Sequence, residues 1–164
     1  MIAPPGAGAL LADRDVIELA PGDETTVGGL PVQATQAVHR VVRGGRSVPA
    51  VGFRVADIYF AGDTDLFPEM ESLEPLELAL LPVWGWGLTL GPGHLDPRRA
   101  AEALRLLRPR VAIPIHWGTY FPALLGLKGH HRLEDPPHEF ARAAAELAPD
   151  VLVRILDPGD GCNL

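Results

Sequence analysis

The chain holds a single cysteine, Cys162, so no internal disulfide framework can form, and a reducing, cytoplasmic compartment is expected. Serine is almost as scarce: Ser47 and Ser72 are the only two, and neither sits in the Gly-x-Ser-x-Gly turn of a serine hydrolase. With Cys162 near the C-terminus and no placed partner for it, most covalent nucleophiles drop out. A Gly-x-x-x-x-Gly-Lys phosphate loop is missing, and Gly6-Ala7-Gly8 lacks the third glycine of a dinucleotide fingerprint. His138-Glu139 is not followed by the second histidine of a zincin helix. Lys128 is the lone lysine beside thirteen arginines, which reads as the codon bias of a GC-rich genome. Basic charge is also short overall, 14 residues against 21 acidic ones for a net charge of −7, and this argues against a nucleic-acid partner. No apolar run reaches the roughly 20 residues that cross a membrane. Met1–Gly6 carries neither the basic nor the apolar region of a signal peptide.

What the chain has in quantity is turn formers and apolar residues. Eighteen glycines and seventeen prolines are spread through 164 residues that are 47% hydrophobic, a chain long enough for one sizeable core and short for two. The first half reads as strands. A short Ala/Leu helix is expected around residues 7–12, then a strand at Val16–Leu19 closed by Pro21-Gly22-Asp23. Thr25–Val27 and Leu30–Val38 form a hairpin across Gly28-Gly29, a polar loop covers Arg40–Ser47, and Val48–Val55 with Ile58–Ala61 make a second hairpin.

After Asp63 the rhythm changes to alternating helix and strand. A short helix is expected at Leu66–Leu73 and a buried strand at Leu76–Val83, followed by a Trp/Gly loop. Asp96-Pro97 opens a helix with a capping acceptor and a first-turn proline, and Ala100, Leu104 and Leu107 recur on one face of it. Val111–Ile115 is a further buried strand, Pro136–Leu147 a second helix, and Val151–Leu156 a last strand. Strands followed by strand–helix units predict an α/β fold with helices on one face of a sheet. No repeat or linker divides the chain, so residues 1–164 are expected to belong to one domain.

Three groups fall where chemistry is often built. His39 ends a strand, Asp63 follows the strand Ile58–Ala61 in Gly62-Asp63-Thr64, and His116 follows the strand Val111–Ile115. Imidazole and carboxylate are ligands of zinc and similar ions, and an open coordination position can activate water. Types and spacing alone leave a second reading open, of surface histidines and a plain Gly-Asp turn. The same two-sidedness holds elsewhere. His94 is either a loop histidine or part of a site, and His130-His131 read as solvated. Trp84, Trp86, Phe121 and Leu124-Leu125 either line an apolar substrate mouth or pack a loop. Asp65 and Glu69 suit a helix start, and Trp117 and Thr119 suit the support of His116.

Tyr59–Phe67 together with Ile113–Tyr120 resembles the second half of the metallo-β-lactamase fold. The pair Phe-Ala-Gly-Asp-Thr and Ile-His-Trp-Gly-Thr places Asp63 and His116 53 residues apart. The nearest branch is that of the N-acyl phosphatidylethanolamine phospholipase D enzymes and the bacterial ascorbate-6-phosphate lactonases. Gly93-His94-Leu95-Asp96-Pro97 and Glu134-Asp135-Pro136-Pro137 are similar to that branch too. The resemblance implies an αββα sandwich, of which this chain would be the C-terminal half to two-thirds. It also implies one or two divalent ions, zinc foremost, whose hydroxide attacks a phosphodiester, lactone or amide in a small-molecule or lipid-like substrate. On this resemblance the metal ligands are His39, Asp63 and His116. Asp63 bridges the ions as a catalytic residue, His94 contacts substrate or moves a proton, and Trp84 and Trp86 join it at the substrate. The family's His-x-His-x-Asp-His motif does not occur in this sequence. That departure carries the alternative expectation of a truncated, non-catalytic fragment or a self-associating homodimer.

Overall fold

The structure is a computed structural model that describes the chain apart from residues 11–14, 44–45, 86–88, 119–130, 158 and 164. Nine strands and two α-helices are described: β1 (Ile2–Ala3), β2 (Ile17–Glu18), β3 (Glu24–Val27), β4 (Leu30–Arg43), β5 (Arg46–Val55), β6 (Ile58–Phe60), β7 (Leu78–Pro82), α1 (Pro97–Leu107), β8 (Val111–Ile115), α2 (Asp135–Leu147) and β9 (Leu152–Val153). β3 to β9 form one seven-stranded sheet in chain order, while β1 and β2 pair separately and in parallel.

The first strands of the large sheet are antiparallel. From β6 onward the pairing is parallel, through β7, β8 and β9. Parallel neighbours need crossover connections. These are supplied by the segment holding the 3-10 turn Pro68–Leu73 and by α1 and α2. The carboxyl ends of β6, β7 and β8 therefore share one edge of the sheet, and Gly62-Asp63, Trp84 and His116 all follow there.

Both faces of the parallel half are apolar, as its continuous hydrophobic runs predict. On one face Tyr59, Ala61, Ala79, Leu81 and Ala112 pack against Leu104 and Leu107 of α1 and Phe140 and Ala144 of α2. Alanines at 79, 100, 101, 103 and 112 let the helices approach the sheet closely. The opposite face carries Leu78, Val111 and Ile113 beneath Leu156 and Cys162, while Phe60 and Leu152 stay 44% and 47% exposed there. A third cluster, Leu19, Ala34 and Val51, joins the small β1–β2 sheet to β4 and β5.

Helix α1 begins as its sequence predicts. The Asp96 carboxylate accepts from the Arg99 amide at 2.8 Å, and Arg108 closes the helix in a left-handed conformation. Elsewhere the structure departs from expectation. The short helices at residues 7–12 and 66–73 are 3-10 turns at Gly8–Leu10 and Pro68–Leu73. The polar loop expected at Arg40–Ser47 is instead the continuation of the β4–β5 hairpin, with Val41 paired to Val48 and Arg43 to Arg46. The backbone ladder thus runs on through a segment whose polar and glycine content suggested a loop. His39 accordingly sits inside a long strand, at a bulge where the register shifts between Gln36 and Arg40. The last strand is only Leu152–Val153, shorter than the expected Val151–Leu156.

Candidate metal centre

The site is built at the edge where the parallel strands end. The β4 irregularity places two extra residues on that strand, since Gln36 pairs with Val51 and Arg40 with Pro49, and such a break bends the ladder and re-aims side chains. His39 is at that bulge. Asp63 follows β6 after Gly62, whose backbone is left-handed at φ +62°. His94 stands in the turn before α1, and His116 follows β8 with its own backbone at φ +60°. That value is uncommon for a residue with a side chain, and such conformations persist where surrounding structure holds them.

The ligand atoms of His39, Asp63 and His94 all lie within 4.8 Å of one another, and each residue is half-buried. The His39 and His94 rings meet edge to face, with centroids 4.6 Å apart. His116 reaches the same carboxylate, its Nε2 3.3 Å from Asp63 Oδ1.

Each of the three histidines is oriented by main chain. His39 Nδ1 donates to Gly93 O at 2.9 Å, His94 Nδ1 to Gly91 O at 3.2 Å and His116 Nδ1 to Trp84 O at 2.9 Å. A carbonyl can only accept, so Nδ1 carries a hydrogen, and in a neutral ring Nε2 is then the acceptor. Neutral rings so arranged put acceptor nitrogens around the Asp63 carboxylate. Acceptors so close repel unless a proton or a cation lies between them. Two or three nitrogens with one carboxylate are a donor set suited to a divalent ion such as zinc. The residues present fit a metal.

The supporting contacts explain how distant segments meet. Thr64, completely buried, accepts from Val38 N at 2.8 Å and donates to Asp65 O at 2.9 Å. Thr64 O accepts from Leu95 N at 2.9 Å, and Val38 O accepts from Asp65 N at 3.1 Å. Asp65 also grips Arg99 of α1, with Oδ1 2.8 Å from Nε and 2.6 Å from Nη2. It serves the join to α1 as well as the start of the 66–73 segment. Gly93, at φ +87°, leaves room that a Cβ would fill, since that atom would stand 3.2 Å from Val38 O.

Of the residues singled out in the sequence, His39, Asp63, His94 and His116 are thus brought together. Trp84 is 8% exposed, offers its carbonyl to His116 and stacks beneath the Arg132 guanidinium at 4.6 Å, so its ring is covered. Trp117 donates from Nε1 to Pro114 O at 3.1 Å. Trp86, Thr119, Phe121, Leu124, Leu125 and His130 lie outside the described residues. Thr64, Gly93 and Arg99 were not legible as site residues, although Thr64 adjoins the Gly-Asp signal.

Residues 2–117 match the β-lactamase superfamily domain. The chain belongs to that family. Similar relatives of the β-lactamase superfamily domain include the UPF0173 metal-dependent hydrolase of Methanopyrus kandleri, 37% identical over 90% of this chain and 62% of that protein. The UPF0173 metal-dependent hydrolase of Caldivirga maquilingensis is 36% identical over 82% and 54%. The chain thus spans between half and two-thirds of the length of these relatives. Among solved structures, a metallo hydrolase from the hyperthermophilic archaeon Ignicoccus hospitalis superposes with a TM-score of 0.73 at 26% identity, covering 97% of this chain and 66% of that one. A diiron β-hydroxylase from Streptomyces venezuelae also matches, with a TM-score of 0.62 at 15% identity over 93% of this chain and 36% of that one. That second likeness shows the fold alone.

Proposed function

We propose that this chain carries the metal-binding edge of a metal-dependent hydrolase that cleaves a phosphodiester, lactone or amide bond in a small or lipid-like substrate. The observation that carries the reading is the convergence of His39, Asp63 and His94 within 4.8 Å, with His116 against the same carboxylate. His39, Asp63 and His116 would hold the metal, zinc by preference for nitrogen-rich sets, and Asp63 would be the ligand shared if two ions bind. A bound divalent ion would supply Lewis acidity toward a substrate oxygen and toward water at neutral pH.

The chain's own residues do the rest. Main-chain carbonyls engage each Nδ1 and leave Nε2 as the nitrogen available to a metal or substrate. His94 adjoins His39 on the more open side, where it can contact substrate or pass a proton to a leaving group. Trp86 would border the substrate, whereas Trp84, its ring covered by Arg132, would support His116 through its carbonyl. The single cysteine supports a reducing, cytoplasmic setting. No helix among the described residues is long and apolar enough to cross a membrane.

A second reading, a non-catalytic module that self-associates as a homodimer, is favoured by the exposure of Phe60 and Leu152 on an apolar sheet face. One experiment separates the readings. Metal content of the zinc-loaded chain is measured together with hydrolysis of bis(p-nitrophenyl) phosphate. Zinc retention and turnover that both disappear in His116→Ala support the hydrolase. Negligible zinc with no turnover, and a dimer in sedimentation, would replace it with the second reading.

A further inference from the structure

His39 and His94 stand 55 positions apart in the chain and lie on segments that do not pair with each other. Something must set the distance between them. The candidates are the contacts that join the β4 bulge to the turn before α1, and Thr64 makes two of them with two different atoms. Its hydroxyl accepts from Val38 N, one residue before His39, and its carbonyl accepts from Leu95 N, one residue after His94.

The hydroxyl is also fully used. It accepts at 2.8 Å, donates to Asp65 O at 2.9 Å, and is sealed from water. A buried hydroxyl so paired is oriented more firmly than an exposed one, because losing either partner would leave a polar group unsatisfied. Asp65 N closes the clasp on Val38 O at 3.1 Å, so both polar groups of Val38 are held by consecutive residues of the Asp63 loop. Meanwhile Gly93 O, on the other flank, receives His39 Nδ1 directly.

We propose that Thr64 is a positioning residue of the metal centre, whose side-chain hydroxyl sets the spacing of His39 and His94 on either side of Asp63. It touches no ligand atom. It acts by fixing the backbone next to two of them while its own backbone neighbour supplies the third. Thr64 thus differs from a residue that merely fills the core. A filler would act through its methyl group, and valine, of nearly equal volume, would replace it without loss. A positioning hydroxyl would tolerate serine and fail with valine.

The zinc arm of the test rests on the metal-binding reading above; the metal-free arm does not. In the metal-free chain, the ring-to-ring nuclear Overhauser contact between His39 and His94 and the exchange of the Val38 amide are measured by NMR. Thr64→Ser should keep both, and Thr64→Val should weaken the contact and speed Val38 exchange. Zinc affinity, read by competition with a chromophoric chelator, should fall by about tenfold to a hundredfold in Thr64→Val and stay within about threefold of the parent in Thr64→Ser, the range typical of residues that orient ligands.

Equal zinc affinity and an unchanged ring contact in Thr64→Val would overturn the proposal. So would loss of both in Thr64→Ser, which would show that the methyl matters. If Thr64→Val does not fold, Thr64→Ser against Thr64→Ala decides the same question, with only the alanine variant expected to fail. If the parent chain binds no zinc, the metal-binding reading falls, while the metal-free comparison still accepts or rejects the role of Thr64.

Discussion

At the scale of single residues, His116 combines two properties that can be separated by experiment. Its imidazole faces Asp63, and its backbone occupies a left-handed conformation that costs a side-chain-bearing residue about 1–2 kcal/mol. His116→Gly and His116→Ala both remove the ring, but only glycine relieves the backbone. The glycine variant should be the more stable of the two by about 1 kcal/mol in urea denaturation, after glycine's own entropic cost is set against the relief. Both should lose zinc alike. Gly93 gives the reverse case. At φ +87°, with a would-be Cβ 3.2 Å from Val38 O, Gly93→Ala should destabilise by more than about 1 kcal/mol and weaken zinc binding, although it removes no ligand. Denaturation midpoints and chelator competition on one preparation check both effects. Asp63 and His116 were legible as candidates because each follows an apolar strand, whereas His39, expected at a strand end, lies inside β4. Gly93 and Thr64 were not, because their roles are close approach and clasping across long sequence separations.

At the scale of elements, the sequence was most informative where periodicity and capping agree. Asp96 and the Ala100, Leu104, Leu107 stripe located α1, and the carboxylate cap is present at 2.8 Å. Asp96→Ala should cost about 1 kcal/mol of stability, measured by chemical denaturation. Periodicity failed at Arg40–Ser47, where glycine and arginine suggested a loop although the residues pair across a hairpin. That misreading also hid the bulge, because a bulge is a property of two paired strands and no single strand displays it. The N-terminal elements add a pH-dependent join. Glu18 accepts from Gly6 N at 3.1 Å and Gly8 N at 2.7 Å, and these amides hold its carboxyl below the usual carboxylate range. A carboxyl depressed by folding favours the folded contact above its unfolded pKa and loses that contribution as pH falls through the lower folded value. Amide exchange at Gly6 and Gly8 should therefore be slow at neutral pH relative to its intrinsic rate and lose protection in acid. In Glu18→Gln the acid-dependent step should vanish.

At the scale of the whole molecule, the helix-covered face and the charged surface contribute very differently. Phe140 and Leu104 are completely buried in the cluster that ties α1 and α2 to the sheet. Phe140→Ala should cost about 3–5 kcal/mol, enough to abolish cooperative unfolding in a marginal domain. By contrast, Glu77 pairs with Arg110 at the exposed margin between β7 and β8. Glu77→Gln should change stability by less than about 1 kcal/mol, and salt should reduce the difference further. Thermal unfolding of the two variants beside the parent measures the contrast. The α/β arrangement was legible from strands giving way to strand–helix alternation. The side that the helices take was not, since the runs of β7 and β8 are apolar on both faces and carry no mark of it.

The bonds that aim the three histidines all end on main-chain oxygens, at Gly91, Gly93 and Trp84. Every amino acid presents the same carbonyl, so the aim of each ring depends on where the loop runs and hardly on which side chains it bears. Wide alteration of the surrounding side chains could thus reshape what enters the cleft while the imidazoles keep their bearing, and new specificities could be tried on this edge without rebuilding its centre.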